Sequence, residues 1–256
     1  MACNMAPALD RIADVVTVFS REKAKAEALA ARLRNARGID SLDDVDTDVD
    51  MVVVAVADDA VAEVCGALPA GRALVAHTSG SVPMDAIGSR RRGVFYALQT
   101  FSRDKAVDFA DIPFFLEAFD EEGLALMREL AGELSGKVFD ADSSHRAALH
   151  VAAVFACNFA NQLWAEADGL LRPYGYDISV FGPLLRETLD KAMSIGPHDA
   201  QTGPAMRCDY KVIENHKNKL TPELREIYDI LTKRIIETHR QMSVVTMHKH
   251  KTQENE

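Results

Sequence analysis

The sequence predicts an α/β domain built on a parallel sheet, followed by an all-helical C-terminal domain. Three observations carry this prediction. Val49 to Ser81 holds two short apolar, β-branched runs, Met51 to Val56 and Ala73 to Ala76. Between them lies helical spacing (Ala60, Val61, Val64, Ala67, Leu68) closed by Pro69 and Gly71. Apolar strand, short helix, apolar strand is the pattern of a parallel sheet covered on both faces. Strand and helix patterns then keep alternating to about Asp140, which gives a doubly wound arrangement. From Ser143 onward no strand pattern occurs. The domains expected are therefore 1–141 and 142–248, with a polar, disordered tail at 249–256.

Residues 1 to 13 read as a helix with no strand before it. Asp14 to Ser20 is a strand, and Arg21 to Arg34 is Ala-rich and helical, with Ala26, Leu29, Ala30 and Leu33 on one face. Gly38 to Asp50 is an acidic connection with room for a short strand at Gly38 to Ile39. After the central stretch come a helical turn at Met84 to Ile87 and strands at Gly93 to Ala97 and Pro113 to Ala118. An amphipathic helix, Glu121 to Leu134, precedes a last strand at Lys137 to Phe139. Ser143 or Ser144 can cap a helix running to about Leu171, where Pro173 and Gly175 stop it. It exceeds the ~8–20 residues of ordinary globular helices, as an interdomain or subunit-packing helix would. Helices at Ile178 to Ile195, Asp209 to Lys217 and Pro222 to Met242 follow.

Composition narrows the function classes. Of 256 residues, 48% are hydrophobic and 27% charged, ordinary for a soluble globular protein. The formal net charge is -10 and no long basic stripe exists, which argues against nucleic acid and against an anionic membrane surface. The runs Arg90-Arg91-Arg92 and His248 to Lys251 read as a solvated loop and a tail. Cys3, Cys65, Cys157 and Cys208 are scattered, which suits reduced thiols in the cytoplasm rather than a disulfide framework. The His residues lack ligand spacing, so no metal is expected. No secretory signal is visible, and Met51 to Ala57 is far below the ~20 apolar residues of a membrane helix.

In open parallel sheets, ligands sit at the carboxyl ends of the strands. Val56, Ala57 and Asp58 follow one strand; His77, Thr78, Ser79 and Gly80 follow the next. A dinucleotide fold opens with a strand and Gly-x-Gly-x-x-Gly or Gly-x-Gly-x-x-Ala, whose backbone approaches the pyrophosphate. Here Met1 to Ala6 offers only Asn4, Met5 and Ala6 in register. Ser20-Arg21 ends a strand where such folds read the ribose, and an Arg there accommodates a 2′-phosphate, favouring NADP over NAD. The competing reading makes Ser20 an N-cap and Arg21 a first-turn residue. On the long helix His150, Val154, Asn158 and Asn161 share one 3.6-residue stripe.

Asn4-Met5-Ala6, Ser20-Arg21, VVVAVADDAV (Val52 to Val61), HTSGS (His77 to Ser81), FYALQTFS (Phe95 to Ser102), ALHVAAVFACNFANQLW (Ala148 to Trp164) and QTGPAMRCD (Gln201 to Asp209) occur in that order. Together, from Asn4 to about Arg240, they resemble the Rossmann-like proteins that carry a DUF2520 C-terminal domain. That family is similar in build to 6-phosphogluconate dehydrogenase-like enzymes. The resemblance implies a Rossmann-like domain, a helical domain, and an NADP-dependent oxidoreductase acting on a small carbonyl or imine acid. Asn4, Met5, Ser20, Arg21, Val56, Ala57, Asp58, Thr78, Ser79 and Gly80 would hold the cofactor.

By analogy with related dehydrogenases His150 would be the acid and Asn158 its orienter, with His77 a further catalytic candidate. The alternatives are a loop or capping His77 and a helix that hydrogen-bonds across a domain or dimer seam. Gln99, Gln201, Thr202, Gly203 and Arg207 would face a small-molecule substrate, with Arg207 clamping a carboxylate; a structural turn with a surface ion pair is the competing reading of that loop. A homodimer through the helical domain is expected. Two departures stand out. The sequence begins inside the family's loop, with Met1 and Cys3 where the family has glycines, so either the true start lies upstream or the phosphate cradle is lost; and Cys208 replaces the family's Gly. A non-catalytic scaffold or dimeric binding module with a degenerate cofactor loop is the alternative function.

Overall fold

The computed structural model describes residues 1–88, 91–102 and 105–253, from 241 onward as backbone only. Arg90 and the last three residues of the expected tail lie outside the described residues. By packing, the chain divides into two compact units, Met1–Ala156 and Cys157–Glu256.

The first unit opens with α1 (Ala2–Leu9), then β1 (Thr17–Phe19), α2 (Lys23–Ala30) and β2 (Arg37–Ile39). The central stretch forms β3 (Met51–Val54), α3 (Val61–Gly66) and β4 (Leu74–His77), followed by β5 (Arg92–Ala97). Then come β6 (Phe114–Ala118), α4 (Glu121–Leu134), β7 (Val138–Asp140) and α5 (Ser143–Ala153). The strands form two sheets, a parallel pair β1-β2 and a five-stranded sheet in the order β3-β4-β5-β6-β7. Among the described residues no ladder joins β1 to β3.

The five-stranded sheet departs from an all-parallel one at β6, which pairs antiparallel to β5 with Ala97 opposite Phe114. Parallel neighbours need a crossover, usually a helix, to return the chain to the starting edge. Among the described residues of 98–113 no helix forms, so β6 re-enters at the end where β5 leaves off. The helical crossover returns with α4, and β7 is parallel to β6.

Alternation along the strands sorts the core. Leu74, Ala76, Phe95, Phe114 and Leu116 pack on one face against Met5 and Ala8 of α1 and Met127, Ala131 and Leu134 of α4. Val54 and Val75 pack on the other with Val61 and Cys65 of α3 and with Ile87. Burial pushes the Cys65 thiol up to about 11, consistent with a core residue.

Helix α5 is fixed to this unit largely by two side chains of its first turn, Arg146 and Ser143. Arg146, fully buried, pairs with Glu117 of β6. It also donates to the carbonyls of Ala141 at 3.2 Å and Val82 at 3.1 Å. Ser143 donates to Glu117 at 2.9 Å and accepts from the Met84 amide at 3.1 Å. One helical turn thereby ties β6 to the segment after β4. That explains why the packing boundary lies beyond the start of α5.

The second unit begins inside a π-helical segment, Val154–Phe159, that links α5 to α6 (Ala160–Leu171). The long helix is therefore continuous but not regular, and the i→i+5 segment interrupts the 3.6-residue period behind the His150–Asn158 stripe. α7 (Gly182–Ile195), α8 (Tyr210–Lys217) and α9 (Pro222–Gln253) follow; α9 includes the start of the expected tail. Few of this unit's described residues are buried, Ala205 and Ile213 being the apolar ones. Cys208 adopts φ +54°, the left-handed region. A Cβ there costs about 1 kcal/mol or more.

Two predictions follow from this packing. Cys208→Gly should raise the melting temperature, with a gain of about 0.5–1 kcal/mol after the larger entropy of the unfolded glycine is counted; a lower melting temperature would refute the strain. His77 is fully buried, and burial first, then the Arg146 charge, pulls its pKa from 6.5 down to about 4. The unfolded chain then binds more protons between those values, so stability is complete above pH 6.5 and falls as pH drops toward about 4. Up to about 3 kcal/mol is lost there, and His77→Gln should lack that part of the slope in denaturant titrations.

Candidate functional site

The carboxyl ends of β1 and β3 enclose a cavity of about 1060 Å³ within the first unit. Ala2 and Cys3 at the start of α1 line it, as do Ser20 and Arg21 after β1, Ala24 of α2, and Val56 and Ala57 after β3. Ser20 Oγ accepts from the Glu22 amide at 3.3 Å, while Glu22, not Ser20, stands at the N-cap position of α2 and makes no side-chain capping bond there. Arg21 is exposed at the rim and forms no ion pair among the described residues.

Asn4 and Met5 are placed differently from the expectation. Met5 is 1% exposed in the core, and the Asn4 side-chain amide donates to the Ser102 carbonyl at 2.9 Å. Both backbone amides donate to the Met1 carbonyl. Ala2 and Cys3 thus face the cavity in their stead.

A second cluster sits at the tips of β4 and β5. Thr78, Ser79 and Gly80 are buried, the Thr78 amide donating to the Val54 carbonyl at 3.1 Å. His77 accepts from the Ser79 amide at Nδ1, 3.2 Å, and its Nε2 has no hydrogen-bond partner. A fully enclosed, neutral His77 has no exposed edge to offer a ligand; it shapes the turn beneath the site. Ser79 Oγ accepts from the amides of Ser81 and Val82, both at 3.1 Å. Ser81 donates to Asp58, joining this loop to the end of β3 and thus to the cavity wall. Asp58 is therefore a strut between strand tips, while its neighbours Ala57 and Asp59 line the cavity.

One residue the sequence reading missed belongs here. Tyr96 of β5 has its Oη 3.5 Å from His150 Nδ1 of α5. Within the strand GVFYA its apolar neighbours make it read as core, and only the three-dimensional meeting with α5 marks it. Burial raises its pKa above the ordinary phenol value. Gln99, exposed just after β5, accepts from the Thr100 amide at 2.8 Å.

In the second unit, Asn158 is exposed within the π segment. Gln201 donates to the Thr202 carbonyl at 3.0 Å and Gly203 adopts φ +101°. Arg207 is exposed, with no ion pair among the described residues. These five residues lie in a different unit from His150 and the strand tips. Among the described residues no helix is long and apolar enough to cross a membrane.

Comparison with known proteins bears on this arrangement. A search of curated proteins finds no match. Residues 112–235 match the family described as a domain of unknown function, DUF2520. A solved structure from Bacteroides fragilis, provisionally described as an NADP oxidoreductase, is 40% identical, with 92% of this chain and 94% of that chain covered and a TM-score of 0.85. A Thermotoga maritima protein is 24% identical over 94% and 96% of the two chains, TM-score 0.74. The reductive aminase of Aspergillus terreus, solved with NADPH and ethyl-5-oxohexanoate, is 18% identical over 94% and 91%, TM-score 0.68; these last two share the fold. By its DUF2520 segment and by its likeness to the Bacteroides protein along nearly its whole length, the chain belongs to the family of Rossmann-like proteins that carry a DUF2520 domain.

Proposed function

We propose that the protein is an NADP-dependent reductase of a small carbonyl or imine acid. The observation that carries this reading is the cavity between the tips of β1 and β3 with the exposed Arg21 guanidinium at its rim, without an ion pair among the described residues. Its volume and chemistry suit the phosphorylated adenosine end of the cofactor. Arg21 and Ser20 would hold the 2′-phosphate, the start of α1 would face the diphosphate, and Val56 and Ala57 would line the far wall. The Bacteroides protein and the NADPH-bound aminase support the choice of cofactor.

NADPH supplies a hydride when bound. The chain's own part is to orient the acceptor and deliver a proton. His150, half-buried at the tips, is the proposed proton donor, since histidine exchanges protons near neutral pH. Asn158 is its proposed orienter. Gln99, Gln201, Thr202, Gly203 and Arg207 are the proposed substrate contacts, Arg207 offering a two-pronged donor to a carboxylate.

A thermal-shift titration tests the reading. NADPH at 100 times its dissociation constant should stabilise by about 2.7 kcal/mol, several degrees in melting temperature. NADH should shift it less, and Arg21→Glu should weaken NADPH about tenfold or more with little change for NADH. No shift with either nucleotide would leave the non-catalytic binding module.

We also propose that a second copy covers the helical unit. Leu184, Leu189 and Met193 of α7 are 60%, 56% and 78% exposed, and Leu163 and Trp164 of α6 are exposed too. A stable interface buries roughly 1,600 Å² in total, and large apolar patches seldom face water in monomers. Light scattering should give twice the 28.1 kDa chain mass. Leu189→Glu with Met193→Glu should yield monomer; a monomeric wild-type protein at micromolar concentration refutes the dimer.

A further inference from the structure

Helix α5 turns two polar side chains one turn apart, Arg146 and His150, toward the strand tips. Arg146 is committed to Glu117 and to backbone carbonyls. His150 instead meets Tyr96 edge-on, with ring centroids 6.5 Å apart and Oη 3.5 Å from Nδ1. Catalytic hydrogen bonds are often this long until substrate is in place.

Tyr96 is held from several sides. Phe115 of β6 lies across the strand with ring centroids 6.4 Å apart. Gly80 lies over the hydroxyl end of the ring: a Cβ there would come within 2.6 Å of Cζ and 2.9 Å of Oη. No side chain fits at position 80 while the ring occupies this place. The absence of a side chain at Gly80 lets the phenol reach His150, and the loop that bounds the site carries that gap.

We propose that Tyr96 is a positioning residue whose Oη accepts from His150 Nδ1–H, leaving Nε2 as the nitrogen that delivers the proton. The proposal rests on the reductase reading of the same site. The second ring nitrogen of a working histidine sets its tautomer through the bond it makes. A carboxylate would do this with a full charge; a buried phenol does it while neutral, so His150 can shed its proton without leaving a salt bridge unpaired.

In the step itself a hydride from NADPH adds to the carbon of a C=N or C=O group. The π pair of that group takes the proton from His150 Nε2, forming N–H or O–H, and the nicotinamide is oxidised. Neutral His150 keeps its Nδ1–H on Tyr96 and regains a proton at Nε2 from water. Tyr96 neither gains nor loses a proton over the cycle.

The test is a double-mutant cycle on the full chain, following NADPH oxidation against 2-oxo acids, with and without ammonium, and against cyclic imino acids. Tyr96→Phe keeps the ring and its packing and removes only the hydroxyl. It should lower kcat about tenfold, with KM and the NADPH thermal shift unchanged. His150→Ala should lower kcat further, and the double variant should be no slower than His150→Ala. Additive losses would overturn the proposal, because Tyr96 would then act independently of His150.

A second readout does not depend on turnover. Ring ¹⁵N spectra at neutral pH should show His150 with the proton on Nδ1, and Tyr96→Phe should move it toward Nε2. If no substrate in the panel is reduced, the reductase reading fails while these spectra still decide the pairing. An unchanged His150 spectrum in Tyr96→Phe would overturn it.

Discussion

The buried pair between Arg146 and Glu117 is the constraint on which the tip of the sheet depends. Arg146 is fully enclosed, so its charge is tolerable only because a carboxylate and two carbonyls meet it. Taking away either partner would strand the other charge at a cost of about 3–5 kcal/mol. That cost makes the geometry stiff. β6, the segment after β4 and the first turn of α5 are held to one another, and His150 follows one turn later on the same helix. The same positive charge helps keep His77 neutral beneath the loop.

Two distinct regions result, joined by a short polar link. At the tips of β1 and β3 lies an open cavity with an exposed guanidinium, suited to an anionic nucleotide end. At the tips of β4 and β5 lies a tightly bonded loop over Tyr96, suited to holding a proton-carrying ring. Asp58, at the end of β3, bonds to Ser81 and so ties the two. In the proposed reductase, the first region would bind the nucleotide and the second would orient the proton donor. The start of α1 stands where a glycine turn would bring backbone closest to a diphosphate, and here it presents Ala2 and Cys3.

The helical unit follows a different logic. Its described residues bury few apolar side chains among themselves, while large ones on α6 and α7 face outward. Such helices gain their stability mainly by packing an apolar face rather than by propensity. A second copy of the chain would provide that packing. Cys208 adds local strain to the Gln201–Asp209 loop through its left-handed backbone.

The sequence by itself determined the strand–helix alternation, the change to an all-helical half at Ser143, and which short polar segments follow the strand ends. Each rests on local periodicity or on the residues following strand ends, which short stretches of chain already contain. Glu121 to Leu134 was legible as α4 to the residue because its apolar stripe and flanking residues agree. Other matters were decided by tertiary structure. The antiparallel β6 depends on how the chain between β5 and β6 closes. The regular stripe from His150 to Asn158 is interrupted by a π segment that a 3.6-residue template cannot register. Met5 and His77 carried motif positions yet lie in the core, because side-chain direction is set by what packs against each element. Arg146, Glu117 and Tyr96 were invisible for the converse reason: an arginine on a helix and a tyrosine in an apolar strand acquire their roles only when long-range folding brings them to one place.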